Sequence, residues 1–322
     1  MRGCCLFAVL LFPALACAAD WNPRAAADYL DARQKEWFAW APANANAKPC
    51  VSCHGGLTYL LARPALRRVL HESEPTPYET GLLASLRDRV AKGTPNDLYP
   101  TGTESHRVEG SGVESILAAV FVRTPAALTR MWSLQTPEGG FPWFSLDLEP
   151  WEEPASAYFG AALAALAVRD SKSAEAARLR DYLAFHFEFQ PLHHRLMAVW
   201  AGAVPYADRQ SALDELWRTQ ATDGSWSLNA LGPWKHQPDA PPQPGPNAFT
   251  TAFAAVAVQK AGIKPDDPRL QKALAWLRAH QDPKGYWDAA SMNKRRPPES
   301  IPAGFMRDAA TAWAALALAG VE

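Results

Sequence analysis

One 15-residue pattern occurs three times in this chain and constrains its fold more than any other feature. The copies are ALTRMWSLQTPEGGF at 127–141, ALDELWRTQATDGSW at 212–226 and ALAWLRAHQDPKGYW at 273–287. Each copy has Ala-Leu, then an apolar residue three positions after the Leu. A Gln follows, with a Gly four residues beyond it and an aromatic residue two further on. A unit repeated in this way predicts an architecture in which similar supersecondary units stack on one another.

The repeated unit predicts pairs of helices. Its first half has the apolar spacing of a helix, and its Gly permits the positive φ with which helices often end. A second apolar helix, rich in small residues, is predicted after each copy, at 154–168, 247–262 and 308–320. Two further pairs are more degenerate, which gives about five outer–inner pairs. Because hardly any period-two strand pattern occurs, we predict an all-α fold.

The Q-x-x-x-G-x-W elements resemble the QW repeats of the squalene–hopene cyclase and prenyltransferase superfamily. The resemblance covers roughly residues 78–322 and implies an α/α toroid whose inner helices line a cavity for an isoprenoid-like ligand. The catalytic equipment of that superfamily is missing from the sequence. There is no D-x-D-D motif, no set of zinc ligands and no C-G-E-Q thioester motif.

An acidic loop among aromatic residues is the nearest substitute for a cyclase acid. In WFSLDLEPWEE, at 143–153, Asp147 is our weak candidate for a catalytic residue. A carboxyl group enclosed by Trp and Phe would have a raised pKa and could act as a general acid. The alternative is a solvated loop whose acidic residues cap the next helix.

The stretch KPCVSCHGGL, at 48–57, contains a C-x-x-C-H motif. This spacing is that of covalent haem c attachment, and the motif resembles that of c-type cytochromes. In this interpretation Cys50 and Cys53 form thioethers to the porphyrin and His54 is the proximal ligand of the haem iron. A disulfide and a different metal site are the alternatives. The combination is similar to that of secreted bacterial proteins that join such a segment to a toroid.

The sixth ligand of a haem iron cannot be assigned from the sequence. His71 is a weak candidate because it ends the helix predicted directly after the motif. The other methionines and histidines lie further along the chain, and for each of them an ordinary packed methionine, or a hydrogen-bonded or solvated histidine, is the favoured interpretation. They are Met131, Met197, Met292, Met306, His106, His186, His193, His194, His236 and His280.

The first 19 residues have the features of a secretory signal peptide: Arg2, an apolar run and small residues at the end. Export would leave Cys50 and Cys53 as the cysteines of the mature chain and would place the protein in the periplasm or outside the cell. Lipid attachment at Cys17 is an alternative. No later segment predicts a transmembrane span. A formal net charge of −1 makes nucleic acid an unsuitable partner.

Together these features predict three regions: a signal peptide at 1–19, a haem-attachment segment at 20–77 and the toroid at 78–322. The predicted function is that of an exported monohaem protein that passes electrons to an unidentified redox partner protein. The toroid would be its scaffold or ligand cavity. One alternative is a haem-dependent oxidoreductase acting on an isoprenoid-like substrate, and another is a non-redox cyclase-like or binding protein. Whether the chain is an enzyme is left open.

Overall fold

The computed structural model describes residues 20–44, 48–92, 103–235 and 237–320. Over these residues it confirms the all-α prediction, with twelve α-helices and no strand. The helices are α1 (Pro23–Ala39), α2 (Gly56–Val69), α3 (Pro77–Lys92), α4 (Glu104–Phe121), α5 (Pro125–Ser133), α6 (Ser156–Ala167), α7 (Ala174–His186), α8 (Leu192–Ala201), α9 (Tyr206–Arg218), α10 (Ala248–Lys260), α11 (Pro268–Ala279) and α12 (Phe305–Ala319).

Some sequence predictions concern residues outside these ranges. The predicted signal peptide at 1–19, with the possible lipid site at Cys17, lies outside the described residues, and so does His236. Among the described helices, none is long and apolar enough to cross a membrane.

Several helices begin at a polar residue whose side chain accepts a backbone N–H from the first turn. Thr124 caps α5, Ser173 caps α7 and Asn247 caps α10 in this way. Such caps satisfy donors that have no partner inside the helix, and each stabilises the helix by about 1 kcal/mol. Local sequence therefore sets where these helices begin.

The helices form two classes by burial. In α10 every residue from Ala248 to Val258 is buried, and α6 and α12 are buried over most of their length. By contrast, α7, α9 and α11 bury a single apolar stripe. A helix that is apolar all round must lie inside the protein, so the small-residue helices form the inner class, as predicted.

The inner helices pack on one another in chain order. Helix α6 packs on α4, α8 on α6, α10 on α8, α12 on α10, and α2 on α12. The outer helices α5, α7, α9 and α11 each pack on the inner helix that precedes them. Helices α3 to α12 occupy the region in which five pairs were predicted. A toroidal arrangement stays a prediction.

The Gln of each repeat makes the same two hydrogen bonds. Its side-chain amide donates to the carbonyl of the turn Gly, at 3.0–3.1 Å, and to a carbonyl at the start of the next outer helix, at 2.9–3.0 Å. The bonds run from Gln135 to Gly139 and Glu175, from Gln220 to Gly224 and Arg269, and from Gln281 to Gly285 and Asn22. The repeated Gln thus joins consecutive outer helices.

The N-terminal helices belong to the same core as the repeats. Gln281, in the last repeat, bonds to Asn22, which caps α1. Helix α1 then packs on α12, as each other outer helix packs on its preceding inner helix, and α2 packs on α12 from within. One continuous apolar cluster includes Leu57 of α2 and Trp313 of α12. The segment with the C-x-x-C-H motif is thereby held against the end of the chain.

The turn glycines of the repeats allow close contact between outer helices. Gly224 has φ +94°, and a Cβ there would overlap the backbone of Lys272 in α11. Gly245 also has a positive φ, of +82°, but a Cβ there would meet nothing within 4 Å. We predict that Gly245→Ala costs about 1–2 kcal/mol of stability, from backbone strain alone. Gly224→Ala should cost clearly more, because a helix must also move.

Denaturant unfolding of both variants measures this difference directly. Gly245→Ala is the matched control, since it introduces the same strain without the overlap. Equal losses in free energy of unfolding would show that contact between the repeat turn and α11 does not constrain the fold.

Candidate functional site

The C-x-x-C-H motif forms a tight turn at the start of α2. Within the turn, Ser52 Oγ accepts hydrogen bonds from the backbone N–H groups of Gly55 and Gly56, each at 3.1 Å. The turn is also tied to α1, because Trp37 Nε1 donates to the carbonyl of Cys50 at 2.9 Å. The motif therefore has a defined backbone shape against two helices.

The side chains of the motif line one cavity of about 240 Å³. Aromatic residues from three other parts of the chain form much of its wall. Its lining residues are Trp37, Trp40, Pro42, Cys50, Val51, Ser52, Cys53, His54, Gly110, Val113, Glu114, Phe144, Leu148, Glu152 and Phe305. The three predicted attachment residues are thus brought together in an apolar environment.

His54 is enclosed by aromatic rings. Its imidazole stacks on Phe305 with ring centres 3.6 Å apart, and Trp37 meets it edge-on at 5.8 Å. Burial lowers the pKa of His54 to about 3, and the positive charges of Arg296 and Arg33 add to the effect. The imidazole is therefore neutral at physiological pH, which is the form that binds metals.

One nitrogen of this imidazole lacks a partner. His54 Nδ1 is buried and makes no hydrogen bond within the described part of the chain. A buried polar atom without a partner costs about 1–3 kcal/mol. Stacking on Phe305 covers the face of the ring, whereas a metal ion would approach a nitrogen in the ring plane. The contact with Phe305 is therefore compatible with iron ligation.

Both cysteines are free thiols, and no disulfide joins them. Burial raises the pKa of the Cys50 thiol to about 12, and it also raises the pKa of Cys53. Such protonated thiols are poor nucleophiles, unlike the cysteines of disulfide-exchanging enzymes. Among the described residues, no group of three or more His, Cys, Asp or Glu side chains could hold a metal ion directly.

The acidic loop at 143–153 folds over this cavity. It is closed by backbone bonds between Leu148 and Glu152, and Trp143 Nε1 donates to the carbonyl of Trp151 at 2.6 Å. The side chain of Asn293 bonds to both the N–H and the carbonyl of Glu149, each at 2.8 Å. Two features that the sequence analysis treated separately, the C-x-x-C-H motif and the acidic loop, therefore meet at one site.

Within this loop, Glu152 has the environment that the sequence analysis sought in Asp147. Asp147 is exposed and forms a surface ion pair with Lys235 at 3.2 Å. Glu152 lines the cavity beside His54, and burial raises its pKa to about 7, although Arg296 opposes this. The acidic group that faces the cavity is Glu152, and Asp147 lies outside it.

A second cavity, of about 70 Å³, adjoins the first. The two share His54, Leu148, Glu152 and Phe305. The smaller one is also lined by Met306 and Arg296. Their combined size reaches the lower end of the roughly 300–1,000 Å³ that is usual for small-molecule sites.

The structure separates the candidate sixth ligands. His71 is exposed and lies beyond the far end of α2, a helix of 14 residues that spans about 20 Å, so it does not reach His54. Met306 lines the smaller cavity together with His54. The other described candidates line neither cavity; they are Met131, Met197, Met292, His106, His186, His193, His194 and His280.

The sequence analysis missed the walls supplied by α1, by the first residues of α12 and by the segment before α12. Trp37 and Trp40 precede the motif by 13 residues or fewer, and their aromatic character was a usable signal. Phe305 and Arg296 lie some 240 residues away from the motif. No local pattern connects them to it, because they meet His54 only through the packing of α12 on α2.

Comparison with known proteins assigns no family to this chain. No protein-family model matches it, and no curated protein matches it.

Glu152 should make stability depend on pH in protein prepared without haem. Its folded pKa of about 7 lies above its ordinary value of 4.5. Below pH 4.5 this carboxyl is protonated in both the folded and the unfolded protein, and the folded state keeps its full stability. As pH rises through 7, the folded state loses stability, because the unfolded chain ionises this carboxyl more readily. Glu152→Gln removes this loss, which amounts to about 3 kcal/mol. Relative to wild type, the variant should gain stability over this pH range.

Urea unfolding at several pH values tests this expectation. Asp147→Asn removes an exposed carboxylate from the same loop and is the control, which should follow wild type. A Glu152→Gln curve parallel to that of wild type would mean that this carboxyl is solvated.

Proposed function

We propose that the chain is an exported c-type protein with one haem, covalently attached at Cys50 and Cys53, that transfers electrons. One observation carries the proposal: both cysteines and His54 line the same aromatic-walled cavity. A motif match alone would allow the three side chains to point in different directions. Covalent attachment by the two cysteines, with iron ligation by the histidine of the same turn, requires that all three side chains face one cavity.

The residues present fit a haem in three respects. The thiols are free, and addition of S–H across a porphyrin vinyl group needs reduced cysteines and no oxidant. His54 is neutral, and its Nδ1 lacks a partner within the described residues. Trp37, Phe144 and Phe305 offer apolar surface to a macrocycle. When bound, the group supplies one-electron redox chemistry at its iron.

The chain itself would contribute position and exclusion of water. Trp37 binds the backbone of Cys50, and Ser52 closes the turn, so the attachment residues are held by hydrogen bonds. Phe305 stacks on the imidazole and fixes the orientation of its ring. In this proposal the helical body serves as a rigid scaffold and as the surface for a redox partner protein.

Export to the periplasm forms part of the proposal. It rests on the sequence of residues 1–19 and on the chemistry of the motif, because haem c attachment by the c-type route takes place after export. A periplasmic or secreted location follows from both.

A second candidate function is a haem-dependent oxidoreductase acting on a hydrophobic, isoprenoid-like molecule. The observation that favours it is the carboxyl group of Glu152 in the cavity wall beside His54, with Arg296 close enough to lower its pKa. Electron transfer alone does not need an acid there, whereas a reaction that transfers a proton to or from a substrate does. A non-redox binding protein is the third candidate, and absence of covalent haem would favour it.

The attachment residues can be tested by matched variants, expressed with a c-type maturation system and analysed after denaturation. We expect Cys50→Ala and Cys53→Ala each to lower the fraction of covalent haem severalfold. His54→Ala should retain thioethers but lose the normal low-spin spectrum. Val51→Ala, a change within the motif that spares all three residues, is the control. Equal haem retention in the cysteine variants and the control would refute the assignment.

Met306 is the candidate sixth ligand on this account, since it lines the smaller cavity with His54. In haem-loaded protein, Met306→Leu should allow cyanide to bind at least tenfold faster, because no protein ligand would need to leave first. Met292→Leu alters another buried methionine, outside the cavity, and His71→Ala alters the exposed histidine. Both should behave as wild type in stopped-flow absorption. Unchanged cyanide binding in Met306→Leu would exclude Met306 as the ligand.

A further inference from the structure

A polar cleft of about 490 Å³ opens beside the smaller cavity. We call it the arginine cleft, because four arginines line it, together with three carboxylates. These charged residues are Arg33, Arg295, Arg296, Arg307, Glu36, Asp288 and Glu299. Of the charged residues of this cleft, the roles proposed above involve only Arg296, which also lines the smaller cavity.

Two of the four arginines already have partners. Arg33 bonds to the buried carboxylate of Asp308 at 2.8 Å and also to Glu36, and Arg307 pairs with Asp288 at 2.7 Å.

The other two guanidinium groups are available. Within the described part of the chain, Arg295 and Arg296 form no hydrogen bond or ion pair with any side chain. Among the carboxylates of the cleft, Glu299 alone has no arginine partner in the described residues. The paired residues form a framework, and the unpaired arginines give the cleft its capacity to bind an anion.

Arg296 connects the cleft to the predicted haem site. It lines both the arginine cleft and the smaller cavity, as does Ser291. In the smaller cavity it shares the lining with His54 and Glu152, so it lies on their side of the cleft. Cys50 and Cys53 line the larger cavity and not the smaller one. The two cavities share His54, so a molecule that filled both would lie between the cysteines and Arg296.

We propose that the arginine cleft binds organic carboxylates through Arg295 and Arg296. A guanidinium group can hold a carboxylate by two parallel hydrogen bonds, which an ammonium group cannot reproduce. Two sources share this chemistry. One is the pair of propionates of a haem attached at Cys50 and Cys53, and this source rests on the proposed function. The other is a separate small carboxylic acid that enters from solvent.

The test compares wild type with the Arg295→Gln/Arg296→Gln double variant in two measurements. Lys294→Gln is the control, because it removes a positive charge from the same segment without altering the cleft lining. The first measurement is the reduction potential of haem-loaded protein. The second is calorimetric titration with citrate, on haem-loaded and haem-free protein. Circular dichroism checks that each variant is folded, and Arg295→Lys/Arg296→Lys tests the need for the guanidinium fork.

A lower potential in the double variant than in the Lys294→Gln control would assign haem propionates to the cleft. Citrate binding that weakens tenfold or more in the double variant would assign a separate carboxylate. If Arg295→Lys/Arg296→Lys recovers only part of the potential or of the citrate affinity lost in the glutamine variant, the guanidinium groups matter beyond their charge, which would support either assignment. If haem is never attached covalently, the proposed function fails, and citrate binding to the haem-free protein alone decides the proposal. An unchanged potential together with no Arg-dependent citrate binding would overturn it.

Discussion

The packing of α12 between α10 and α2 is the contact on which the rest of the structure depends. It joins the end of the chain to the segment that follows the C-x-x-C-H motif. The same contact places Phe305 on the imidazole of His54 and brings Met306 to the wall of the adjoining cavity. Hydrogen bonds from Gln281 to Asn22 fix α1 beside it, and Arg33 of α1 pairs with Asp308 of α12. Without this packing, the site would lose the wall formed by Phe305 and Met306.

The regular part of the fold could be predicted from the sequence because each repeat encodes its structure locally. The apolar spacing of the repeat, its Gln and its turn Gly all act within one helix and the following turn. Gly224 illustrates this, since its positive φ was implied by the position of Gly in the pattern, whereas its close approach to Lys272 of α11 is seen only in the structure. The all-α class follows from such local rules. The closure of the helices into a ring is a long-range property and stays a prediction.

Only part of the site could be predicted, because the sequence encodes its local motifs but not the long-range packing that completes it. Cys50, Cys53 and His54 were identified by their spacing, and the acidic loop by its composition. Which acid faces the cavity was not predictable, because it depends on how the loop folds: Asp147 is exposed, Glu152 lies in the cavity wall, and backbone bonds between Leu148 and Glu152 close the loop between them. His71 lies away from His54 because the helix that begins at the motif separates them. Phe305 and Arg296 had no sequence signal at all.

The central claim is that the cavity at His54 holds an iron porphyrin attached to Cys50 and Cys53. Crystals of protein matured with its haem, measured at the iron absorption edge, test this claim most directly. The account predicts one anomalous peak within coordination distance of the His54 imidazole, on the side of the cavity lined by Cys50 and Cys53. Crystals without an iron peak, or with a peak away from His54, would contradict it.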